Sequence, residues 1–239
     1  MEKRVWVGCS GYYYREWRGR FYPPGLRPAD WLAYYAERFD TVEINSTFYR
    51  PPSRRGLSRW KAQVPERFRF SLKAPRSISH HHKFSKAEKL RAFYDVVGVL
   101  AERLAVILFQ LPPLAYDPAL LERILALLDP TFKNALEFRH ASWWRESVFS
   151  ELSKAGVAFV GVSAPGLPGG LPRTASFAYL RLHGQERWYD YDYSKAELHR
   201  WLRALRFAEA SEAYVYFNND RGAEAPRNAR LFKSMLEAA

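Results

Sequence analysis

Short apolar segments rich in β-branched and aromatic residues recur along the chain and alternate with longer segments of helical spacing. The apolar segments have the composition of strands and begin near Val5, Thr41, Phe68, Ala105, Ala135, Val157, Phe177 and Glu212. Apolar residues at helical spacing occupy residues 29–38, 54–64, 86–103, 118–128, 144–155, 195–210 and 226–237. Only the sixth strand is followed by a loop-like segment, APGLPGGLP, in place of a helix.

Each unit of strand and helix takes about 30 residues, and eight such units in roughly 250 residues are typical of a closed barrel. We therefore predict an α/β fold, a TIM-like (β/α)8 barrel, with a doubly wound open sheet as the alternative. Helix starts are marked by the candidate N-caps Asp30, Ser85, Asp117 and Ser194. Because no Pro/Gly/Ser-rich linker or internal repeat divides the chain, residues 1–239 are expected to form a single domain.

Polar side chains concentrate where the predicted strands end, which is where barrels of this kind carry their chemistry. Side chains alternate between the two faces of a strand. In TVEIN, Val42 and Ile44 are expected to face the helices, so that the intervening side chains point into the barrel. The side chains assigned to the inside in this way are Thr41, Glu43, Asn45, Arg69, Ser71, Lys73, Glu137, Arg139, Tyr179, Arg181 and His183.

Two carboxylates and several cations are thus predicted to meet inside one cavity. Burying such charges costs several kcal/mol each unless they are paired or take part in chemistry. One interpretation is a salt-bridge lattice that only plugs the barrel, in which Glu137 pairs with Arg139 or Arg181 and Glu43 pairs with Lys73. The other is a functional site, which the position at the strand ends favours.

Seven motifs follow one another in a fixed order: VGCSGYYYREWRGRFYPP, TVEINSTFYRPP, FSLKAPRSISH, FQLPP, LEFRHASW, YLRLHG and YVYFNND. Together they span nearly the whole chain and resemble the YecE-like family of uncharacterised barrel proteins. The resemblance implies a barrel with a polar mouth and brings no agreed activity. It places recurrent polar positions at Glu43, Asn45, Thr47, Tyr49, Lys73, His80, Gln110, Glu137, Arg139, His140, Trp143, Arg181, His183 and Asn218. Tyr12, where the family usually has tryptophan, and Ser79, where it has threonine, are mild departures.

From these positions we select Glu43, Glu137 and His183 as candidate catalytic residues. His183 is the preferred general acid or base, because an imidazole titrates near neutral pH. The candidate ligand-binding residues are Tyr12, Asn45, Tyr49, Lys73, His80, Gln110, Arg139, His140, Trp143, Arg181 and Asn218.

A divalent metal is left open as a cofactor and is not favoured. Neighbouring loop histidines at positions 80–82 cannot all point one way, and the chain has no H-x-x-x-H helix or H-x-H strand pair. A metal site would have to gather its ligands from separate strands, among Glu43, Glu137, His140, His183 and Asp220.

The charge of the chain points to an anionic partner. The net charge is +12, and residues 1–80 carry 16 Lys and Arg against 7 Asp and Glu. The segment at residues 12–22 interleaves Arg15, Arg18 and Arg20 with six aromatic residues. Its rings either stack on bases while the guanidinium groups contact phosphates, or pack as a lid over the barrel. We therefore expect an anionic small molecule or a single-stranded nucleic acid as the partner.

Three functions of different class follow from these observations. The leading one is binding, with or without processing, of a phosphorylated or nucleic-acid ligand at the mouth, with Lys73, Arg139 and Arg181 on the anion. The alternatives are a glycoside hydrolase using Glu43 and Glu137 as its carboxylate pair, and a non-catalytic nucleic-acid-binding protein. If the protein is an enzyme, a phosphoester or glycoside hydrolase is expected.

The surroundings of the protein are also constrained by its composition. The longest apolar runs have about six residues, whereas a membrane span needs ~20, so no membrane association is expected. The N-terminal segment lacks the apolar region of a secretory signal. The single cysteine, Cys9, cannot form an internal disulfide. We expect a cytoplasmic protein, and the oligomeric state is left open.

Overall fold

Parallel strands alternate with helices along the chain in the computed structural model, which describes residues 4–207 and 210–238. The strands are β1 (Arg4–Cys9), β2 (Thr41–Ile44), β3 (Arg69–Lys73), β4 (Leu104–Gln110), β5 (Asn134–Glu137), β6 (Ala158–Phe159), β7 (Gly161–Ser163), β8 (Phe177–Leu182) and β9 (Glu212–Phe217). The helices are α1 (Trp31–Ala36), α2 (Ser46–Tyr49), α3 (Arg54–Ala62), α4 (Ala87–Val97), α5 (Pro118–Leu127), α6 (Glu146–Lys154), α7 (Lys195–Phe207) and α8 (Glu224–Glu237).

The strands lie in two parallel sheets that follow one another around a barrel. One sheet has the order β1-β9-β8-β7 and the other the order β2-β3-β4-β5-β6. The sixth predicted strand is divided into β6 and β7 at Val160, whose amide still donates to the carbonyl of Leu136 at 2.9 Å. A parallel bridge between Ser10 and Glu43 joins the ends of β1 and β2. With β6 and β7 counted as one strand, eight positions follow in order, which agrees with the predicted TIM-like fold.

The seam between β1 and β2 is held together by a side chain from α1. The hydroxyl of Tyr35 accepts from the amide of Cys9 at 2.7 Å and donates to the carbonyl of Thr41 at 3.1 Å. Gly8 allows this close approach, because a Cβ at that position would stand 2.1 Å from the Thr41 carbonyl oxygen. The two strands therefore meet through one hydroxyl and one glycine instead of a full ladder.

Apolar side chains fill the space between strands and helices, and a second, smaller group fills the barrel itself. The interior group includes Trp6, Val106, Leu108 and Tyr214. Above these residues, the Tyr216 hydroxyl lies 2.7 Å from Thr41 Oγ1 and 2.8 Å from Ser71 Oγ. The barrel is therefore packed in layers, and its charged side chains occupy the layer nearest the carboxyl ends of the strands.

Most predicted helices are present, and the sixth unit is a loop as expected. The helix predicted over 86–103 consists of α4 and a following 3₁₀ segment, Gly98–Arg103. The helix predicted over 195–210 is α7, and residues 208–209 lie outside the described residues. Short turns that were not anticipated include α2, directly after β2, a π-helical turn at Ser77–His81 after β3 and a 3₁₀ turn at Ala141–Trp143 after β5. These three turns follow strands and shape the mouth of the barrel.

Two of the predicted N-caps are confirmed by hydrogen bonds. Asp117 Oδ1 accepts from the amides of Ala119 and Leu120, and Ser194 Oγ accepts from the amide of Glu197. Asp30 occupies the N-cap position of α1 as predicted, although its carboxylate accepts from Arg27 and not from an amide of the helix. The prediction for Ser85 was wrong by one residue, because Lys86 occupies the cap position of α4.

Candidate functional site

Arg181 of β8 lies at the centre of the charged layer and contacts both buried carboxylates. Its Nη2 donates to Glu43 Oε1 at 2.7 Å, and its Nη1 donates to Glu137 Oε2 at 2.5 Å. All three side chains are at most 1% exposed. Strands β2, β5 and β8 come from distant parts of the chain, so the barrel closes around this bridge.

The remaining oxygen of each carboxylate also has a partner. Tyr179 donates its hydroxyl to Glu43 Oε2 at 2.6 Å. Glu137 Oε1 pairs with Arg139 Nε and lies 3.3 Å from His183 Nε2. Burial alone would raise the pKa of the Glu137 carboxyl, but Arg139 and Arg181 outweigh it and hold this pKa well below its usual range. Glu137 is therefore held as an anion, and both oxygens of Glu43 have a short hydrogen-bond donor.

His183 does not titrate near neutral pH, contrary to the sequence-based expectation. The ring is fully buried, and burial, followed by the charges of Arg181 and Arg139, lowers the pKa of His183 to about 3. Asn218 Nδ2 lies 3.0 Å from Nδ1, and Nε2 lies 3.3 Å from Glu137 Oε1 and 3.4 Å from Arg181 Nη1. His183 is thus a neutral hydrogen-bonding member of the layer, unsuited to act as an acid at pH 7.

Lys73 occupies a different position from the one expected in a salt-bridge lattice. The predicted pairing of Glu43 with Lys73 was wrong, because Arg181 and Tyr179 take the Glu43 oxygens. Lys73 Nζ instead donates to Gln110 Oε1 at 2.6 Å and lies 3.9 Å from the centre of the Phe48 ring. Burial, followed by the charge of Arg181, lowers the pKa of the Lys73 ammonium to about 7.

Arg139 lies between the buried layer and solvent. Its side chain is 10% exposed, and its guanidinium stacks 4.5 Å from the ring centre of Trp188. Trp188 also packs on His183, with ring centres 5.3 Å apart. Arg139 and Lys73 are therefore the two cations at the outer edge of the layer, and each one lies against an aromatic ring.

Aromatic side chains extend from both of these contacts. Beside Lys73, the ring of Phe48 packs edge-on against His80 and Tyr49, and Tyr49 is 68% exposed. Burial, followed by the charge of Lys73, lowers the pKa of His80 to about 4, so this ring is neutral at pH 7. Beside Arg139, Trp188 packs against Tyr189, which is also exposed. Aromatic surfaces thus flank the mouth on two sides.

Several other predicted site residues have local structural contacts. Asn45 Nδ2 donates to the Ser10 carbonyl at 3.3 Å and Thr47 Oγ1 to the Lys73 carbonyl at 2.6 Å, so both tie the ends of neighbouring strands together. His140 Nδ1 accepts from the amide of Ser142, so His140 is the N-cap of the 3₁₀ turn Ala141–Trp143. Tyr12 is half-buried and packs near Tyr35.

Trp143 is the predicted ligand-binding residue that the fold places elsewhere. Its ring is buried and stacks on Phe138 at 4.3 Å between ring centres, and its Nε1 donates to the Leu114 carbonyl at 2.8 Å. Phe138 belongs to the face of the chain directed at the helices. A turn after β5 therefore carries Trp143 into the outer core, away from the charged layer.

The aromatic residues of segment 12–22 form a packed lid. Trp17 and Tyr22 are buried, and Tyr22 stacks on Trp31 of α1 at 4.7 Å. Only Tyr13 among these rings is largely exposed, at 59%. The interpretation as an open stacking platform for bases does not fit this packing, because the rings form the core of the lid.

The arginines of the same segment point outward. Arg18 Nε donates to the Pro24 carbonyl at 2.6 Å, and Arg20 Nη1 donates to the Gly222 carbonyl at 2.5 Å. Arg20 lines an open cleft of about 670 Å³ together with Arg227 and Arg230 of α8. Sequence reasoning did not find this cleft, because it is formed by the first and last units of the barrel meeting in space.

The sequence also gave no sign of the part played by Phe48 and Trp188. Phe48 lies in the unanticipated helix α2, and Trp188 lies in the loop after β8. Phe48 falls inside the motif TVEINSTFYRPP, but neither that motif nor the periodicity of the chain distinguishes it as a contact of Lys73, and no motif includes Trp188. Tyr179, by contrast, was assigned to the barrel interior by strand alternation, and its bond to Glu43 agrees with that assignment.

Among the described residues, no group of three or more His, Cys, Asp or Glu side chains is arranged to hold a metal ion. Within the same ranges, no helix combines the length and the apolar character that crossing a bilayer requires.

These features define a parallel α/β protein of the TIM-barrel type with an ion-paired layer below its mouth. Residues 6–239 match the family described as protein of unknown function DUF72, and the chain belongs to this family. A crystal structure of a DUF72 family protein from Thermotoga maritima is 33% identical, with a TM-score of 0.88 over 98% of this chain and 99% of that one. The UPF0759 protein YunF of Bacillus subtilis is 25% identical, over 98% of this chain and 95% of its own length.

The resemblance to YecE-like proteins is confirmed as well. The UPF0759 protein YecE of Escherichia coli K12 is 29% identical over 136 residues, which are 55% of this chain and 50% of YecE. None of these three names states an activity.

Proposed function

We propose that the mouth of the barrel binds a small phosphorylated ligand, with Lys73 and Arg139 holding the anion. The observation that carries this proposal is the absence of any carboxylate within salt-bridge distance of Lys73 Nζ among the described residues, although two carboxylates lie in the layer below it. Its one short polar contact there is the neutral Gln110 amide. An ammonium has three donors, so two are left for a ligand.

The charge of the buried layer supports the same conclusion. Glu43 and Glu137 supply two negative charges, Arg139 and Arg181 supply two positive charges, and His183 is neutral at pH 7. The formal charges of the layer therefore sum to zero without Lys73. When Lys73 binds its proton, it adds one positive charge that no carboxylate compensates. An anionic ligand would neutralise that charge, and the two arginine-paired carboxylates would not compete with it.

The aromatic surfaces beside the two cations indicate the rest of the ligand. Phe48 adjoins Lys73 and packs against Tyr49, and Trp188 adjoins Arg139. Flat apolar faces next to a phosphate site favour a ligand with a planar or ring-shaped part. A phosphorylated sugar, a nucleotide and the terminus of a nucleic acid share this chemistry.

Glycoside hydrolysis by Glu43 and Glu137 is not favoured. The Arg181 guanidinium lies between the two carboxylates and bonds to both. A glycosidase needs one protonated carboxyl group and access of the sugar to both groups. Glu137 is fully buried, so a sugar cannot reach it as a nucleophile or through an activated water.

The proposal is tested by calorimetric titration with pyrophosphate at low ionic strength and pH 6.5. We expect binding by the wild type and a loss of at least about tenfold in affinity for Lys73→Gln, since one charge-assisted contact to phosphate contributes roughly 1.5–3 kcal/mol. Lys154→Gln, on the exposed face of α6, is the matched control and should bind as the wild type does. Equal affinity of Lys73→Gln and the wild type would refute the proposal.

A further inference from the structure

We propose that Lys73 is a reactive amine that forms an imine with an aldehyde or ketone group of the bound ligand. This inference rests on the proposed anion site and adds a chemical step to it, in which Arg139 keeps the phosphate while the neutral form of Lys73 meets the carbonyl group of the same ligand. The ligand class is then a phosphorylated carbonyl compound, such as a sugar phosphate in its open-chain form. Lys73 lies at the carboxyl end of β3, where the side chain reaches the mouth from a rigid strand.

The contacts of Lys73 are those of an amine held ready to react. Its Nζ is kept in place by Gln110 Oε1 at 2.6 Å, and Gln110 Nε2 in turn donates to the carbonyl of Leu111 at 3.1 Å. The Phe48 ring covers one side of Nζ. One neutral acceptor fixes the amine without demanding that it be charged, whereas a carboxylate at the same place would keep it an ammonium.

The charges that face Lys73 come from several strands. Arg181 of β8 and Arg139, just beyond β5, oppose the ammonium form, whereas Glu137 of β5 and Glu43 of β2 favour it. Each of those carboxylates is itself paired with an arginine. His80, in the turn after β3, adds no opposing charge because it is neutral at pH 7.

Burial and the two guanidinium groups outweigh the two carboxylates, so the pKa of Lys73 falls to about 7. In a large fraction of the molecules Lys73 is then a free amine at neutral pH, which is the form that attacks a carbonyl carbon. Desolvation beside other cations is a recognised way to activate a lysine for this chemistry.

The step balances without an oxidant or a reductant. The amine nitrogen bonds to the carbonyl carbon, and a proton passes from nitrogen to the former carbonyl oxygen to give a carbinolamine. Uptake of one further proton lets this hydroxyl leave as water and forms the protonated imine. Addition of water reverses the sequence, so the amine is regenerated.

The test uses pyridoxal 5′-phosphate as the probe, because it carries an aldehyde, a phosphate and an aromatic ring. The intact protein is treated at pH 7.4 with a limiting amount of probe and cyanoborohydride, which reduces any imine to a stable secondary amine. Peptide mass mapping then measures labelling at each lysine. The chain has ten lysines, and nine of them serve as internal references within the same sample.

We expect Lys73 to be labelled at least about tenfold faster than any other lysine, since an ordinary lysine with a pKa near 10.4 is almost wholly protonated at pH 7.4. The rate at Lys73 should level off above about pH 8, while the rates at the other lysines continue to rise. Labelling of Lys73 no faster than the other lysines would overturn the inference.

Two further arms separate this inference from the anion site on which it rests. Pyridoxal, which lacks the phosphate, should label Lys73 more slowly than pyridoxal 5′-phosphate, and inorganic phosphate should protect Lys73. Selective labelling with no preference for the phosphate would support the amine and contradict the anion site. Pyrophosphate binding by the wild type without selective labelling would support the anion site and contradict the imine.

Discussion

Arg181 bridges two carboxylates that lie on strands far apart in the chain, and its guanidinium makes one short bond to each. Removing ions from water costs several kcal/mol per ion, and only paired, hydrogen-bonded geometry returns that free energy. In this layer each carboxylate oxygen has a polar neighbour. The consequence is strong mutual dependence, because loss of one member leaves the others charged and buried.

We expect Glu137→Gln to destabilise the fold by about 3–5 kcal/mol, because it keeps the side-chain volume but leaves Arg139 and Arg181 with an unbalanced buried charge. Chemical denaturation with urea at pH 7 measures this loss. Glu151→Gln, which removes an exposed ion pair with Lys154 on α6, is the control and should stay within about 0.5 kcal/mol of the wild type. A change below about 1 kcal/mol for Glu137→Gln would mean that the layer is hydrated and loosely paired.

The low pKa of His183 predicts a dependence of stability on pH. The pKa is near 6.5 in the unfolded chain and about 3 in the folded protein, so between these values the unfolded chain binds more protons. The contribution of His183 is therefore present above about pH 6.5 and is lost as the pH falls towards 3.

Between pH 6.5 and pH 4, the free energy of unfolding should fall less for His183→Gln than for the wild type. The two losses should differ by up to about 3 kcal/mol. Urea unfolding at the two pH values gives the comparison. His80, whose pKa is also lowered, is present in both proteins and cancels. His199→Gln on the exposed face of α7 is the control and should follow the wild type. Parallel pH profiles for His183→Gln and the wild type would contradict the buried neutral imidazole.

At the scale of the elements, the strands join unevenly around the barrel. Most neighbouring strands share a continuous parallel ladder. β1 and β2 are joined by the single Ser10–Glu43 bridge and by the Tyr35 hydroxyl. In the order of strands around the barrel, Glu43 of β2 and its partner Arg181 of β8 stand on opposite sides of this seam, so the seam determines whether the charged layer can form.

We expect Tyr35→Phe to lower the free energy of unfolding by about 1–3 kcal/mol, because it leaves the buried amide of Cys9 without its acceptor. Thermal or urea unfolding measures this change. Tyr34→Phe, one residue earlier on α1 and half-buried, removes the same atom outside the seam and should change stability by less than about 0.5 kcal/mol. Equal effects of the two variants would show that the hydroxyl bridge does not hold the seam.

For the molecule as a whole, the positive charge is concentrated in the first third of the chain. The net charge of residues 1–80 is +9, from 16 cations and 7 anions, out of +12 overall. Arg15, Arg18 and Arg20 are exposed on the lid, and Arg50, Arg54 and Arg55 are exposed around the start of α3. The lid and the connection from β2 to α3 both follow carboxyl ends of strands, so these charges surround the mouth.

This distribution predicts weak, sequence-independent binding of single-stranded nucleic acid. About four to six phosphate contacts give a log–log salt slope of roughly −3 to −4. Replacing Arg15, Arg18 and Arg20 together with Ser should reduce the slope by about two units. Fluorescence anisotropy of a labelled oligothymidine across a salt series measures it.

A matched control replaces Arg91, Arg123 and Arg203 together with Ser. These three arginines are exposed on α4, α5 and α7. This triple variant removes the same charge from the outer helices and should leave the slope unchanged. Equal slopes for both triple variants would show that only net charge matters. Absence of binding even at low salt would leave the small phosphorylated ligand as the sole candidate.

Periodicity in the chain was sufficient to predict the alternation of strands and helices and the inward direction of Glu43, Glu137, Arg181 and His183. Both properties are local, because the spacing of apolar residues along one element decides which of its faces is buried. The N-caps Asp117 and Ser194 could be predicted for the same reason. The loop in place of a sixth helix follows from the Gly and Pro content of residues 164–172.

The partners within the charged layer were decided by the tertiary structure. Sequence alone offered Lys73 as the partner of Glu43, but closure of the barrel brings Arg181 and Tyr179 to that carboxylate and leaves Lys73 beside Gln110 and Phe48. The pKa values of His183 and Lys73 follow from the same placement, because burial and neighbouring cations act through space and leave no pattern along the chain. Strand alternation can therefore predict which residues point inward, whereas the ion pairs and protonation states depend on how strands distant in sequence are brought together.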